Sequence, residues 1–131
     1  MRISRFTAEV MEHLSTTEWK AALELLHEIM ETRRSKRRGK RTFFVWIVSL
    51  FSEPLADVIE QPFAEIYIAL EILHSEGWAE WRWRDDPPEK LEARGGHRRT
   101  EWRLTQDGRR IRASLPQAQE RGDEILLPSP A

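Results

Sequence analysis

The segment from Phe63 to Arg112 decides the fold of this chain, and it reads FAEIYIALEILHSEGWAEWRWRDDPPEKLEARGGHRRTEWRLTQDGRRIR. Its first part, Phe63 to Glu76, predicts an amphipathic helix, because apolar residues recur every three or four positions and Gly77 provides a C-terminal stop. The apolar positions along one side of this helix are Phe63, Ile66, Tyr67, Leu70 and Leu73. The opposite side is expected to face solvent or a partner.

Two strands are predicted after this helix. Residues 78–84 and 99–105 both alternate between apolar and polar side chains, which is typical of strands with one buried face. The residues expected on the buried faces are Ala79, Trp81, Trp83, Thr100, Trp102 and Leu104. Turn-forming residues between the two strands predict a long loop, so the strands should pair as a hairpin. Thr105 is expected to cap a last helix from about Gln106 to Glu120, bent at Pro116.

The chain before residue 63 is predicted to be helical. Residues 5–14 form a short amphipathic segment, and Ser15-Thr16-Thr17-Glu18 has the form of a capping box that begins a second helix. The second helix should end in the basic residues near 34–39, where positive charge is favoured by the helix dipole. The apolar run 42–52 is compatible with a strand or a buried helix, and we interpret it as a helix. A short helix from Leu55 to Glu60 and a turn at Gln61-Pro62 follow.

Two motifs in the quoted segment carry a family resemblance. The stretch YIALEILHSEGW at 67–78 and the stretch EWRLTQDGR at 101–109 are similar to the winged helix of PadR-like transcriptional regulators and, more loosely, of MarR-like ones. The resemblance covers about residues 54–112. It implies that the helix 63–76 is a recognition helix and that the aromatic-x-Leu-Thr-x-x-Gly stretch closes a wing. The expected fold class is mainly α with a small β-hairpin wing, a winged helix-turn-helix.

A chain of 131 residues with 40% apolar residues is long enough for one domain with a core. We expect a single winged-helix domain over residues 1–121 and a flexible tail over 122–131. Within the domain, the expected parts are N-terminal helices at 5–34, a helical core at 42–76, a wing hairpin at 78–105 and a C-terminal helix at 106–121.

Charge is strongly segregated along the chain, although the net charge is only −1. Residues 33–41, RRSKRRGKR, contain seven cations in nine positions. From Thr42 to Trp81 there is no Lys or Arg, but there are seven acids. Such blocks create local fields that select partners more strongly than the total charge does.

The basic blocks and the family resemblance together predict a regulator-like protein that binds duplex DNA, largely through the phosphate backbone. The predicted DNA-binding residues are Arg33, Arg34, Lys36, Arg37, Arg38, Lys40, Arg41, Arg98 and Arg99. The positions that the resemblance would place in the DNA groove are Ala64, Glu65, Ile68 and Glu71. Carboxylates are repelled by phosphates, so the cations that hold DNA would have to come from elsewhere in the chain.

An alternative hypothesis is a winged helix that associates with another protein. The acidic helix 63–76 would then dock a basic protein partner through Glu65, Ile68, Glu71 and Ile72. Apolar residues beside acids suit a protein surface better than a phosphate-lined groove.

Other classes of function have little support in the sequence. There is no Cys, and the four His residues lack the paired spacing of a metal site, so we expect no metal and no cofactor. No nucleophile, base and oxyanion site can be assembled, so an enzyme is not expected. The apolar run 43–51 is too short to cross a membrane, and we expect a cytoplasmic protein. Four tryptophans, Trp19, Trp81, Trp83 and Trp102, are interpreted as core residues rather than base-stacking groups. A homodimer is expected only if the apolar stripe of 6–14 is not used by the chain's own core.

Overall fold

The computed structural model describes residues 1–36, 55–93 and 99–128, with side chains for all of them except 36 and 55–62. The helices are α1 (Arg5–His13), α2 (Ala22–Lys36), α3 (Leu55–Ser75), α4 (Pro88–Ala93) and α5 (Gln106–Ser114), and a 3-10 turn follows at Leu115–Gln117. The strands are β1 (Arg2–Ser4), β2 (Lys20–Ala21), β3 (Ala79–Trp83), β4 (Thr100–Leu104), β5 (Gln119–Arg121) and β6 (Glu124–Leu126). In the described ranges the chain is therefore a mixed α/β domain.

The first sheet contains the predicted hairpin and one additional strand. Its order is β2-β4-β3, and all pairs are antiparallel. Trp81 lies opposite Trp102, and Ala79 lies opposite Leu104, so the apolar faces of the hairpin strands are in register. The two-residue strand β2 joins the edge of β4, where Lys20 pairs with Trp102. The hairpin is therefore attached to the chain between α1 and α2.

The second sheet joins the two ends of the described chain. Its order is β1-β6-β5, with Ile3 opposite Ile125. The Arg5 backbone N–H donates to Asp123 O at 2.7 Å, and the Arg5 guanidinium donates to Gly122 O at 2.8 Å. These bonds fix the β5-β6 turn over the start of α1.

The hydrophobic core lies between α1, α2, α3 and the buried faces of both sheets. Helix α3 contributes Ile66, Ala69, Leu70 and Leu73, which repeat at helical spacing. Gly77, with φ of 77°, ends the helix in the left-handed conformation, and the Trp78 N–H donates to Leu73 O at 2.9 Å. The glycine stop is confirmed, and so is the inner position of Ile66, Leu70 and Leu73, but the prediction was wrong for Tyr67, whose ring is exposed.

The fold-class prediction is confirmed only in its coarser part. Helices and a β-hairpin after α3 are present, but the chain is not mainly α with a single small hairpin, because the described residues form two three-stranded sheets. The missed strands are two or three residues long, and such short strands show no usable alternation in the sequence.

The predicted start of the second helix was wrong. The Ser15 hydroxyl accepts from the N–H groups of Thr17 at 3.1 Å and Glu18 at 2.9 Å, as a cap would, but the helix begins only at Ala22. Residues 15–18 form a turn, and the chain then enters β2. Ser-x-x-Glu is compatible with both structures, because a hydroxyl can close a local turn without a helix following it.

The predicted turn at Gln61-Pro62 was also wrong, because one helix, α3, runs through it from Leu55. A proline inside a helix removes one backbone donor and costs about 3 kcal/mol. The buried residues Ile66, Ala69, Leu70 and Leu73 on the following turns offset this loss. The rest of the predicted helical core, 42–54, lies outside the described residues.

The C-terminal predictions need two corrections. The last helix ends at Ser114 instead of reaching 121, because the 3-10 turn that contains Pro116 leads directly into β5. Residues 122–128 are not a flexible tail, because β6 is the central strand of the second sheet. Ile125 and Leu127 are buried in the core, which explains why this short segment is ordered.

Candidate interaction surfaces

The outer side of α3 is exposed along its described length. Glu65, Ile68, Glu71 and Ile72 all lie on this side, as the 3.6-residue period predicts. Ile68 is 61% exposed, which is the highest value for any large apolar side chain in the described ranges. The Tyr67 ring is also exposed and packs on Phe63, with 5.4 Å between the ring centroids. The surface of this helix is therefore both acidic and apolar.

The groove-facing assignment implied by the resemblance falls on the same side. Ala64, Glu65, Ile68 and Glu71 are all exposed, so none is consumed by the core. The charged groups on the described outer side are Glu65, Glu71 and Glu76, and no Lys or Arg occurs between residues 63 and 76. A phosphate chain placed against this side would meet carboxylates without a compensating cation.

Two tryptophans on β3 are exposed, which the sequence interpretation did not anticipate. Trp81 is 38% exposed and Trp83 is 53% exposed, although both lie on the hairpin face that carries the buried Trp102. Their rings meet edge to face, with centroids 5.4 Å apart. The core assignment is wrong for this pair, and β3 is an edge strand, so it has a neighbouring strand on one side only.

A usable signal for this exposure was present in the sequence. Trp83 is followed at once by Arg84-Asp85-Asp86-Pro87-Pro88, a segment that leaves the sheet for a loop and the short helix α4. A strand residue beside such an exit is less covered than one in the middle of the strand. The alternation predicted the correct face of the sheet, but it could not predict how deeply each side chain is buried.

The exposed tryptophans are linked to α3 by ring contacts. Trp81 packs on Trp102 with centroids 6.2 Å apart, and Trp102 meets the His74 ring edge to face at 6.3 Å. His74 lies in the last turn of α3, two turns after Tyr67 on the same side. The buried Trp102 ring therefore connects the last turn of α3 to the exposed rings of β3.

The opposite face of the hairpin is charged and neutralised internally. Arg103 Nε donates to Glu80 Oε1 at 2.5 Å, and Arg82 Nε lies 3.4 Å from Glu101 Oε1. Both guanidinium groups also lie over the Trp19 ring, at 4.5 Å for Arg82 and 4.2 Å for Arg103. Trp19 is thus half-buried under two arginines rather than in the core, and the core assignment is wrong for this residue too.

The predicted DNA-binding cations have different environments. Arg33 forms a two-pronged ion pair with Glu9, with Nη2–Oε1 at 2.5 Å and Nε–Oε2 at 3.1 Å, and its guanidinium lies over the Phe6 ring. Arg34 lies 3.5 Å from Glu31. Arg99 is exposed at the loop end of the hairpin, where its carbonyl accepts from the Arg84 N–H at 2.7 Å. Lys36 is the last residue of α2, but its side chain lies outside the described residues, as do Arg37, Arg38, Lys40, Arg41 and Arg98.

Several other cations in the described ranges are engaged within the chain. Arg84 contacts Glu24 at 3.2 Å, and Arg112 donates to Leu14 O at 2.6 Å. Arg110 contacts Asp107 on the same helix. These pairs reduce the positive charge available to a ligand, although exposed pairs of this kind exchange readily with solvent.

The apolar stripe of the first helix is used inside the chain. Thr7, Ala8, Val10, Met11 and Leu14 are buried, and α1 packs against α3, α2 and the second sheet. The condition set for dimerisation through this stripe is therefore not met.

The described ranges contain neither a metal-ligand cluster nor a membrane-spanning helix. No three His, Asp or Glu side chains in them converge as ligands of a metal ion. None of their helices is long and apolar enough to cross a membrane.

The comparisons with known proteins assign no family to this chain. No protein-family model matches the sequence, and no curated protein or solved structure gives a significant match. We therefore infer function from the contacts, exposure and charge of the chain itself.

Proposed function

We propose that this protein is a winged helix-turn-helix DNA-binding protein of the transcriptional-regulator type. The observation that carries the proposal is the connectivity of the first sheet. The strand β2, between α1 and α2, joins the hairpin that follows α3, so three helices and a three-stranded antiparallel sheet share one core. Leaving aside residues 37–54, which lie outside the described ranges, this order of elements is compatible with a winged helix, and the most common ligand of that scaffold is duplex DNA.

The local structure at the end of the hairpin supports the proposal. Thr105 caps α5 by accepting from the Gly108 N–H at 3.1 Å, and its hydroxyl donates to Gly77 O at 2.6 Å. The Leu-Thr-x-x-Gly motif thus ties the end of the hairpin to the turn after α3. A rigid link of this kind holds the hairpin in a fixed position relative to α3, as a wing requires.

The charge distribution determines which residues are proposed to contact DNA. The outer side of α3 carries acids, so the phosphate contacts are assigned to cations in the segment 36–41 and to Arg98 and Arg99 at the hairpin. Arg33 is removed from the proposed set, because its guanidinium is held by Glu9 and Phe6. The binding energy would come mainly from the release of counterions, with little discrimination between base sequences.

The salt dependence of DNA binding tests this proposal. We expect the parent protein to bind a labelled duplex, with log affinity falling by about 0.9 for each phosphate contact per unit of log salt concentration. Replacing Arg37, Arg38, Lys40 and Arg41 by Ala should flatten the slope by up to about 3.6 if all four cations contact phosphates. Fluorescence anisotropy at several salt concentrations measures both quantities.

The Arg33→Ala variant is the matched control for this titration. It removes one cation of the same basic run, but one that is already paired with Glu9. Its slope should equal that of the parent. If the fourfold variant keeps the parental slope and affinity, or if the parent does not bind duplex DNA, the proposal fails.

A further inference from the structure

We propose that the outer side of α3 and the exposed tryptophans of β3 form a docking surface for a cationic amphipathic segment of another protein. The surface consists of Tyr67, Ile68, Ile72, Trp81 and Trp83, with Glu65 and Glu71 at its edge.

Exposed apolar side chains are concentrated on this surface. Across the described residues, seven large apolar side chains are exposed, and five of them belong to this surface. The other two are Met1 and Leu23. Single exposed apolar residues are ordinary, but a continuous group of this size marks an interaction site.

The two elements that carry these side chains, α3 and β3, lie against each other. The ring contacts His74–Trp102, Trp102–Trp81 and Trp81–Trp83 connect the last turn of α3 to the exposed end of β3. Trp81 is held on both sides by other rings. Tryptophan and tyrosine are enriched in the central contacts of protein interfaces, because a rigid ring buries a large area with little loss of entropy.

Charge complementarity identifies the occupant. Glu65 and Glu71 border the apolar group, and both lie on the exposed side of α3. A second copy docked about a two-fold axis would bring two acidic surfaces together, which is unfavourable. Phosphates and anionic lipid headgroups would be repelled in the same way. A polypeptide with apolar residues flanked by Lys or Arg satisfies both the rings and the carboxylates.

The pattern of ion pairs supports this choice of partner. The acids on the reverse face of the hairpin, Glu80 and Glu101, are paired with Arg103 and Arg82. Glu65 and Glu71 form no ion pair with any described residue. They can therefore receive a partner's cations.

Synthetic peptides provide a direct test with the full chain. The probe is a labelled amphipathic helical peptide of Leu and Lys, and the control peptides replace Lys by Glu or Leu by Ser. We expect binding of the Leu/Lys peptide only, weakened by added salt. The double variant Ile68→Ser with Ile72→Ser, and separately Trp83→Ala, should each lower its affinity by about tenfold or more, as expected for central interface contacts.

Control variants separate this surface from general stickiness. Leu23→Ser removes an exposed apolar side chain of α2 outside the surface and should leave peptide affinity unchanged. Glu65→Gln with Glu71→Gln should weaken peptide binding and remove most of its salt dependence, while keeping side-chain size. Melting curves confirm that each variant is folded.

The outcomes that overturn the inference are specific. Equal binding of the Leu/Glu peptide, no binding of the Leu/Lys peptide, or an equal loss in Leu23→Ser would show that no such site exists. If Glu65→Gln with Glu71→Gln tightens duplex DNA binding and leaves the peptide unaffected, α3 faces DNA, and the docking inference is wrong while the proposed function stands. If the four cations of 37–41 are dispensable for DNA but the peptide results hold, only the proposed function fails.

Discussion

Gly108→Ala is expected to unfold at a much lower temperature than the parent, or not to fold at all. A Cβ atom at this position would lie 1.9 Å from Trp78 O and 2.9 Å from Leu104 Cδ2. The Trp78 carbonyl cannot easily move away, because it accepts from the Thr105 N–H at 3.0 Å. Overpacking typically costs about 1–3 kcal/mol, and a clash with backbone belongs at or above the top of that range. Urea denaturation, or thermal melting if the variant is folded, measures the loss.

Gly77→Ala is the matched glycine control. At Gly77 an added Cβ meets nothing within 4 Å, so there is no clash. Because φ is 77°, the Ala variant is destabilised only by having to adopt the left-handed backbone conformation. That penalty is about 1–2 kcal/mol. A Gly108→Ala protein as stable as the parent, or more stable than Gly77→Ala, would contradict the close approach of α5 to the turn after α3.

Trp102→Ala should destabilise the fold by roughly 3–5 kcal/mol, the usual range for a large aromatic removed from a core. Trp102 is 2% exposed, and its Nε1–H donates to Thr100 Oγ1 at 3.1 Å. Trp83 is the matched control, because it lies on the same face of the same hairpin but is mostly exposed. Trp83→Ala should therefore change the melting temperature only slightly. The reverse order of the two losses would mean that the buried and exposed tryptophans have been exchanged.

The parts of the fold that were predictable from the sequence have strong periodicity or a specific cap. The buried stripe of α3 follows from the spacing of Ile66, Leu70 and Leu73, and the hairpin follows from two alternating segments. Thr105 was predicted as a cap and accepts the Gly108 N–H. These signals are local, so they survive without knowledge of the tertiary structure.

The parts that could not be predicted depend on long-range contacts. The strands β1, β5 and β6 exist because Ile3, Ile125 and Leu127 share a core, although Ile3 is more than 100 residues from the other two in sequence. The Arg33–Glu9 pair and the stacking of Arg82 and Arg103 on Trp19 likewise join distant segments. The spacing of these residues in the sequence does not predict that they are in contact.

The candidate surfaces were also predictable from the sequence only in part. The outward positions of Glu65, Ile68, Glu71 and Ile72 were predictable from the helical period. The exposure of Trp81 and Trp83 was not predictable from alternation, which assigns a residue to a face of the sheet but not to its covered or uncovered part. Only the polar and proline-rich segment that follows Trp83 indicated that the strand ends there. Because Trp81 and Trp83 were assigned to the core, the aromatic part of the docking surface was not predicted.

The most direct test of the central claim is to map the DNA contact on the protein by backbone amide chemical shifts. A labelled sample would be titrated with a short duplex at low salt. The proposal predicts that the perturbed amides cluster in residues 36–41 and at the loop end of the hairpin around Arg98 and Arg99. The amides of Ile68, Glu71 and Ile72 should change little. Perturbations centred on the outer side of α3, or no perturbation at all, would contradict it.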